Sequence, residues 1–440
     1  VHDVLDPRDL IPDEAEQLAH SGYPVGVLES DARDAVAAKD LPRLAAVSAR
    51  LGELQRAADW GHEEPEDDRA LLEIAGSARP VAVTAEELPG RVRGAWLGRA
   101  VGNTLGKPIE GLTRSQVEIY LRAVDHWPLR GYLPLLDPLP EAVPALHPCA
   151  PLACAGRFVD VPRDDDLDWT ILALHILEAH GREFTTEQVA AAWLDRVPFT
   201  QTHTAERAAY RNLIHGLSPP ATATHDNPYR EWIGALIRGD AYGYVCPGDP
   251  AEAAGMALAD ARLSHTANGK YGEMWAAALV ASALAVSSAR EALTLAHAVL
   301  PPRSRLAHAL DAVLALHLDG ASHTAALDWV DEALGFYPWV HTVNNAALIA
   351  IGLLWGSDFI DAVGITLSGG RDTDSNGATV GSVFGALHAA GAVPVELVGT
   401  THVRVRSAVH GFDGISIDEL AARTLRLVRT RAASATDGLL

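Results

Sequence analysis

Two stripes of glycine constrain what this chain can fold into. Residues 368 to 391 read SGGRDTDSNGATVGSVFGALHAAG, and Gly377, Gly381, Gly385 and Ala389 recur every four residues. Positions four apart share one face of a helix. Glycine inside a helix costs about 1 kcal/mol relative to alanine, so a stripe of it implies that another backbone approaches closely. A second stretch, LPGRVRGAWLGRAVGNTLGKPIEGLT at 88 to 113, carries Gly94, Gly98 and Gly102 at the same spacing on an apolar helix. The same device used twice predicts that the two helices pack on each other. The earlier helix should end near Gly106–Lys107–Pro108, where proline breaks it. Glu110 then sits just beyond a tight turn.

The later stripe opens in a knot of hard oxygen donors: Asp372, Thr373, Asp374, Ser375 and Asn376. Asp and Ser cap helix starts by accepting from free N–H groups. Capping uses one or two such residues, not five in a row. The DTDSNG run also matches the opening of an EF-hand loop, but Val383 stands where that loop needs a bidentate glutamate. The run also leads straight into an apolar helix, which excludes that reading. A second acidic cluster, Asp164, Asp165, Asp166 and Asp168, opens the amphipathic stretch at 163 to 181, with a core face of Leu167, Ile171, Leu174 and Leu177. Dipole compensation accounts for one such helix start. Two that face each other form a cage of carboxylates, and like charges that close need a cation. Hard oxygens suit Mg²⁺, Mn²⁺ or Ca²⁺ rather than zinc.

Alanine and leucine dominate the apolar residues, which favours helix. Residues 185 to 365 read as helices almost throughout, with starts at Asp249–Pro250 and Ser357–Asp358 and no alternating strands. Residues 1 to 85 read as a helical extension packed on the main body, with Leu41, Leu44, Val47, Leu51 and Leu54 on one face. Residues 86 to 432 read as one all-α domain. Within it, residues 127 to 163 are Pro-rich and form a lid or a surface excursion. Three polar–aromatic islands, at 227 to 234, 264 to 275 and 337 to 345, interrupt the helical context. Aromatic faces and amide groups suit a nucleoside pocket. Helix caps and interhelical contacts explain any single residue there as well, and His265 and His341 also fit as satisfied core histidines.

A net charge of −22 argues against nucleic acid or anionic membrane as the main partner. An anionic substrate would need bound metal or local basic groups. The only lysines are Lys39, Lys107 and Lys270. Lys107 lies in the Gly-rich turn and Lys270 in an island, so these two are candidates to meet a phosphate. Cys149, Cys154 and Cys246 give no disulfide framework and no metal spacing, which fits a reducing compartment. The acidic, Pro-broken start is unlike a secretory signal, and apolar runs such as 274 to 286 are too short to span a membrane. A soluble cytoplasmic protein is expected; no oligomeric state follows from the sequence.

Three stretches in this order, GAWLGRAVGNTLGKPIEG (94 to 111), DDDLDWTILAL (164 to 174) and GGRDTDSNGATVGSVFGAL (369 to 387), resemble the ADP-ribosylglycohydrolase family. That family includes dinitrogenase-reductase-activating glycohydrolase and the J1-crystallins, and the resemblance covers roughly residues 90 to 395. It implies an all-α orthogonal helical bundle with a dinuclear metal centre of two Mg²⁺ ions, for which Mn²⁺ is a substitute. It implies hydrolysis of the bond between the anomeric ribose carbon of ADP-ribose and a protein side chain or small acceptor. The family's metal ligands fall on Asp164, Asp165, Asp166, Asp372, Asp374 and Ser375, and its glutamate after the first helix falls on Glu110. Four positions depart from the family pattern: Asn103 and Asp164 replace the usual Asp and Thr, Leu167 replaces a Thr, and Arg371 intrudes before Asp372. On this reading Glu110, Asp165 and Asp374 are catalytic. Asn103, Lys107, His265, Asn268, Tyr271, His341 and Arg371 are the expected substrate contacts. Three functions remain open: a metal-dependent hydrolase of an ADP-ribosyl bond, a hydrolase of another N-riboside in specialised metabolism, and a non-enzymatic ADP-ribose-binding protein.

Overall fold

The structure, a computed structural model, describes residues 5–437; residues 1–4, the start of the extension read from the sequence, and 438–440 lie outside the described residues. Helix accounts for nearly all regular structure, and the only strands among the described residues are the antiparallel pair Arg404–Val405 and Ile415–Ser416. No helix among them is long and apolar enough to cross a membrane.

The bundle is organised around one antiparallel helix pair, Leu88–Gly106 and Thr373–His388. Gly94 faces Gly385, Gly98 faces Gly381, Gly102 faces Gly377, and Gly106 faces Thr373. A Cβ on any of these seven glycines would fall within 3.0 Å of the facing backbone, closer than real Cβ atoms come. The stripes are glycine because the two backbones are in contact. The register adds Gly106 to the stripe expected from the sequence. Around this pair pack the helices Ala267–Ala283, Thr342–Trp355, Phe359–Ser368 and Ile417–Asp437.

The acidic helix Asp165–His180 buries Leu167, Ile171, Leu174 and Leu177, the face its spacing predicts. Its start is tied to the glycine pair by Arg99, which is fully buried. The Arg99 guanidinium donates to the carbonyls of Asp166 (2.8 Å) and Ile237 (2.6 Å) and pairs with Asp240 at 3.0 Å. A buried guanidinium needs such partners on several sides. The Pro-rich stretch 127–163 contains one short helix, Ala150–Ala153, and buries Leu133, Val143 and Val161. Tyr132 anchors it by donating to the Leu397 carbonyl at 2.8 Å and stacking on His402.

At the N-terminal end, helices Pro7–His20, Leu28–Ala37 and Leu41–Gly52 enclose a small core of their own that includes Leu18, Leu28, Leu44, Val47 and Leu51. Leu41 is exposed and Leu54 lies past the helix end, so that face is shorter than its periodicity suggests. This segment meets the rest of the chain through Leu10, which joins the main core, and through polar and charged groups: Arg230 with Glu14 at 2.6 Å, Arg305 with Glu64 at 2.8 Å, and Gln17 and Ser21 donating to Glu231 at 2.8 Å each.

Gly98→Val should lower the stability of the fold by about 2 kcal/mol or more, because the added side chain overpacks a backbone contact that cannot give way. Gly52→Ala, at a helix end with open space around it, should change stability by less than about 0.5 kcal/mol. Urea denaturation of the two variants checks both; equal effects would show that the seam is not a close contact.

Candidate metal centre

The glycine seam determines where the chemistry sits. At its end Thr373 Oγ1 donates to the Gly106 carbonyl at 2.8 Å. The turn Lys107–Ile109 follows and delivers Glu110. A second backbone clasp then holds the two loops in register: the Gly111 N–H donates to the Arg371 carbonyl and the Arg371 N–H to the Leu112 carbonyl, both at 2.9 Å. Gly370 makes this possible. It has φ +67°, and its α-carbon abuts the backbone of Leu112 and Thr113, with no room for a Cβ. Glu110 is thereby set against Asp372 and Asp374.

Two sets of carboxylates form among the described residues. Oxygens of Glu110, Asp372 and Asp374 lie within 4.8 Å of one another, and so do oxygens of Asp164, Asp166 and Asp374. Asp374 is common to both. Asp164 caps its helix by accepting from the Asp166 N–H at 3.0 Å. Asp372 is the corresponding residue of Thr373–His388, yet its side chain makes no capping bond. Helix capping therefore does not account for Asp372. Asp166 and Asp374 are 1 % and 4 % exposed, and in each the Oδ1 atom receives no hydrogen bond. Buried acceptors without donors are rare and call for an unseen partner.

The electrostatics agree. Burial, and then the charge of Asp374, push the Glu110, Asp166 and Asp372 carboxyls well above their ordinary values. Burial also acts on Asp165, but His203, Arg163 and Lys107 outweigh it and hold that carboxyl below its ordinary value. Asp165 belongs to neither clustered set. The fourth acid of its run, Asp168, is scaffold: it accepts from Ser407 Oγ at 2.6 Å, the Ala408 N–H at 3.0 Å and Arg163 Nε at 2.7 Å. Crowded hard oxygens with unused lone pairs fit a hard divalent ion.

Neighbouring groups orient the acids. Asn103 Nδ2 donates to Asp166 Oδ2 at 2.9 Å, and Ser375 Oγ reaches the same oxygen at 3.4 Å. Asn103 thus steers a carboxylate, where an aspartate would add one more buried negative charge. Asn376 Nδ2 donates to Asn345 Oδ1 at 2.7 Å and fixes the helix start against Thr342–Trp355. Lys107 is buried, with its Nζ on Asp164 Oδ2 and 3.8 Å from Asp374 Oδ2. It is committed to the acids rather than open to a phosphate.

The sequence reading missed three neighbours. His147, from the Pro-rich excursion, places Nδ1 3.1 Å from Glu110 Oε2. Nothing in its local sequence marks it, because only the folded excursion brings it there. His203 stands near Asp165. Trp339 is partly exposed, and its ring edge would lie 3.9 Å from a Cβ on Gly111. Its carbonyl accepts from Asn345 Nδ2 at 2.9 Å. The aromatic island at 337 to 345 was the available signal for it.

Five expected substrate contacts have other partners. Asn268 Nδ2 donates to Glu64 at 2.7 Å and Glu231 at 2.8 Å, and Tyr271 donates to the Pro65 carbonyl at 2.6 Å. Lys270, the second candidate for a phosphate, pairs with Glu66 at 2.7 Å. The segment around 64–66 lies over this island and takes up its polar groups. His265 is buried on Ser264 Oγ at 2.8 Å, and His341 accepts from the Val343 N–H at 3.2 Å and stacks on Tyr337. Burial lowers both imidazoles, His341 to about 3, so both are neutral core histidines. Arg371, at φ +68°, sends its guanidinium to Asp331 at 2.7 Å and to the Gly369 carbonyl.

A family model for ADP-ribosylglycohydrolases matches residues 84–434. The chain belongs to the ADP-ribosylglycohydrolase family, and that membership supports a glycohydrolase activity. A solved structure described as an ADP-ribosylglycohydrolase-related protein complex is similar at 20% identity and a TM-score of 0.48, over 78% of this chain and 99% of that one. No curated protein matches the sequence.

Asp374→Asn removes the charge shared by both carboxylate sets. It should raise the thermal midpoint of the metal-free protein by a few degrees, because like charges are no longer buried together. It should also abolish the further rise that Mg²⁺ or Mn²⁺ gives the wild type through binding to the folded state. Calorimetric scans with and without metal check this; an unchanged metal response would remove the site.

Proposed function

We propose that the protein is a divalent-metal-dependent hydrolase that cleaves the ribosyl glycosidic bond of an ADP-ribosylated protein or small molecule. The observation that carries this reading is the buried cage around Asp374, with donor-free oxygens on Asp166 and Asp374 and with Glu110 against it. Asp164, Asp165, Asp166, Asp372, Asp374 and Ser375 are the proposed ligands. When bound, Mg²⁺ or Mn²⁺ would supply Lewis acidity toward vicinal ribose hydroxyls and toward water.

The protein's own groups do the rest. Ribosyl cleavage passes through an oxocarbenium-like centre, and water must reach the anomeric carbon. Glu110 takes the proton of that water: burial and Asp374 raise its pKa, which makes it a stronger base than an ordinary carboxylate. His147 holds Glu110 Oε2, and Trp339 offers an aromatic face beside Gly111 for a planar base or aglycone. Of the expected substrate contacts, Asn103 and Lys107 work within the cage. His265, Asn268, Tyr271, His341 and Arg371 are assigned to the scaffold.

A second reading is favoured by one observation. Lys107, Lys270 and Arg371, the cations expected to receive a diphosphate or to flank the metals, are all paired with acids of the chain. A substrate without a diphosphate, a plain N-riboside, needs none of them. A panel with Mg²⁺ separates the two: ADP-ribosylated arginine and serine peptides and O-acetyl-ADP-ribose on one side, nucleosides and nucleotides on the other. Release of ADP-ribose supports the first reading, and release of free base alone supports the second. Binding of ADP-ribose with no turnover would point to a non-enzymatic member.

Glu110→Gln should cut kcat on the substrate so identified by about 10²–10⁴-fold while leaving metal affinity and the thermal midpoint near wild type. A variant that retains full activity would reduce Glu110 to a loop residue.

A further inference from the structure

A cavity of about 650 Å³ opens where the N-terminal helices meet the body of the chain, and no residue of the carboxylate cage lines it. Tyr23 and Arg56 on its wall precede residue 84, where the match to the family model begins. Four cations line this cavity, and three of them are paired. Lys270 pairs with Glu66 at 2.7 Å, Arg262 with Asp68 at 2.6 Å and Arg230 with Glu14 at 2.6 Å. The fourth, Arg56, has no acid among the described residues. Its guanidinium lies over the Tyr23 ring at 5.4 Å and the Trp60 ring at 5.8 Å, and its Nε–H has no acceptor. We propose that this cavity binds a small phosphate monoester, with the phosphate seated on Arg56. The site is separate from the metal centre and does not depend on it.

The backbone holds Arg56 in place before any ligand arrives. The Ala57 N–H donates to the Gly22 carbonyl at 2.9 Å, and the Tyr23 N–H donates to the Leu18 carbonyl at 3.0 Å. Gly22 has φ +83°, and the Trp60 ring packs on its α-carbon where no Cβ would fit. The loop that carries Arg56 is thus locked onto the turn that carries Tyr23. Contact with ring faces partly compensates a guanidinium, but it leaves the N–H donors of the planar fork unspent. That fork suits a phosphate, which accepts two of its N–H groups at once.

The rest of the wall decides what the phosphate is attached to. The volume lies in the range of small-molecule sites and exceeds what a bare anion needs. Thr224 and Thr266 line it with polar groups. The acids on the wall are already engaged: Glu64 and Glu231 with Arg305 at 2.8 and 2.6 Å, and Asp67 with the Ala70 N–H at 2.9 Å. They accept no further negative charge, because like charges repel at close range. One anionic group on an uncharged, hydroxyl-bearing remainder meets both conditions. A sugar phosphate or a nucleoside monophosphate is such a molecule.

The test uses the full chain, stripped with chelator so that a metal cannot hold the phosphate. Calorimetric titrations with ribose 5-phosphate and AMP are compared with ribose, adenosine, inorganic phosphate and citrate. The two esters should bind, and more tightly than any of the other four. Arg56→Gln should weaken ester binding at least tenfold, Arg56→Lys should weaken it less, and Asp374→Asn should leave it unchanged. No binding of either ester to the wild type would overturn the proposal. Equal affinity in Arg56→Gln, or loss of binding in Asp374→Asn, would overturn it by placing the phosphate elsewhere. Citrate binding as tightly as the esters would overturn the choice of a single phosphate. Should the Arg56 variants fail to fold, the wild-type ligand ranking and the Asp374→Asn titration decide.

Discussion

Contact between two helix backbones is the constraint on which the rest of the structure depends. Gly94, Gly98, Gly102 and Gly106 lie against Gly385, Gly381, Gly377 and Thr373, and no Cβ fits between them. Such a contact has one register. A slide by a single residue would drive side chains into the opposite backbone. Because the register is fixed, the ends of the two helices are fixed too, and with them the turn before Glu110 and the start of the acidic run at Asp372. The backbone clasp of Gly111 and Leu112 on Arg371 continues that precision past the helix ends. Function here begins as packing: the seam supplies rigidity of the kind that catalytic groups need around them.

That rigidity works against electrostatics. Burying several carboxylates together costs free energy that no isolated ion pair returns. Burial and the Asp374 charge raise the Glu110, Asp166 and Asp372 carboxyls, which means that the metal-free fold disfavours their charged forms. The fold tolerates the strain because Arg99, Lys107 and Asn103 supply donors from the glycine helix and its end. A cation that binds the folded chain and not the unfolded one relieves the rest. The cage is thus a place where the scaffold holds like charges together until a ligand compensates them, which is how sites with shifted titration behave.

Much of this was legible in the sequence. Glycine repeated every four residues along a helix signals a close backbone approach, so the helix pair and its mutual packing could be read directly. The acidic runs marked two helix starts, and the position of Glu110 after a Gly-Lys-Pro turn marked a third piece of the same site. What could not be read was anything that depends on one segment covering another. His147 reaches Glu110 only because the Pro-rich excursion folds back over the bundle. Asn268, Tyr271 and Lys270 have the composition of a binding island, but the residues near Glu64 and Glu66 lie over it and satisfy them. Arg371 abuts the acidic knot in sequence, yet its left-handed backbone turns the guanidinium toward Asp331. Local pattern gave the elements and the acids; long-range cover decided which polar groups stayed available.

The central claim is that the seam brings these acids together as a metal centre and not as an incidental crowd of charge. The most direct measurement is anomalous scattering from a crystal of the full chain grown with Mn²⁺, collected at the manganese edge. The account predicts an anomalous peak bonded to Asp374, within the cage that Glu110, Asp372, Asp164 and Asp166 form around it. Manganese found only on surface carboxylates, with Asp374 and Asp166 paired to protein donors alone, would contradict it.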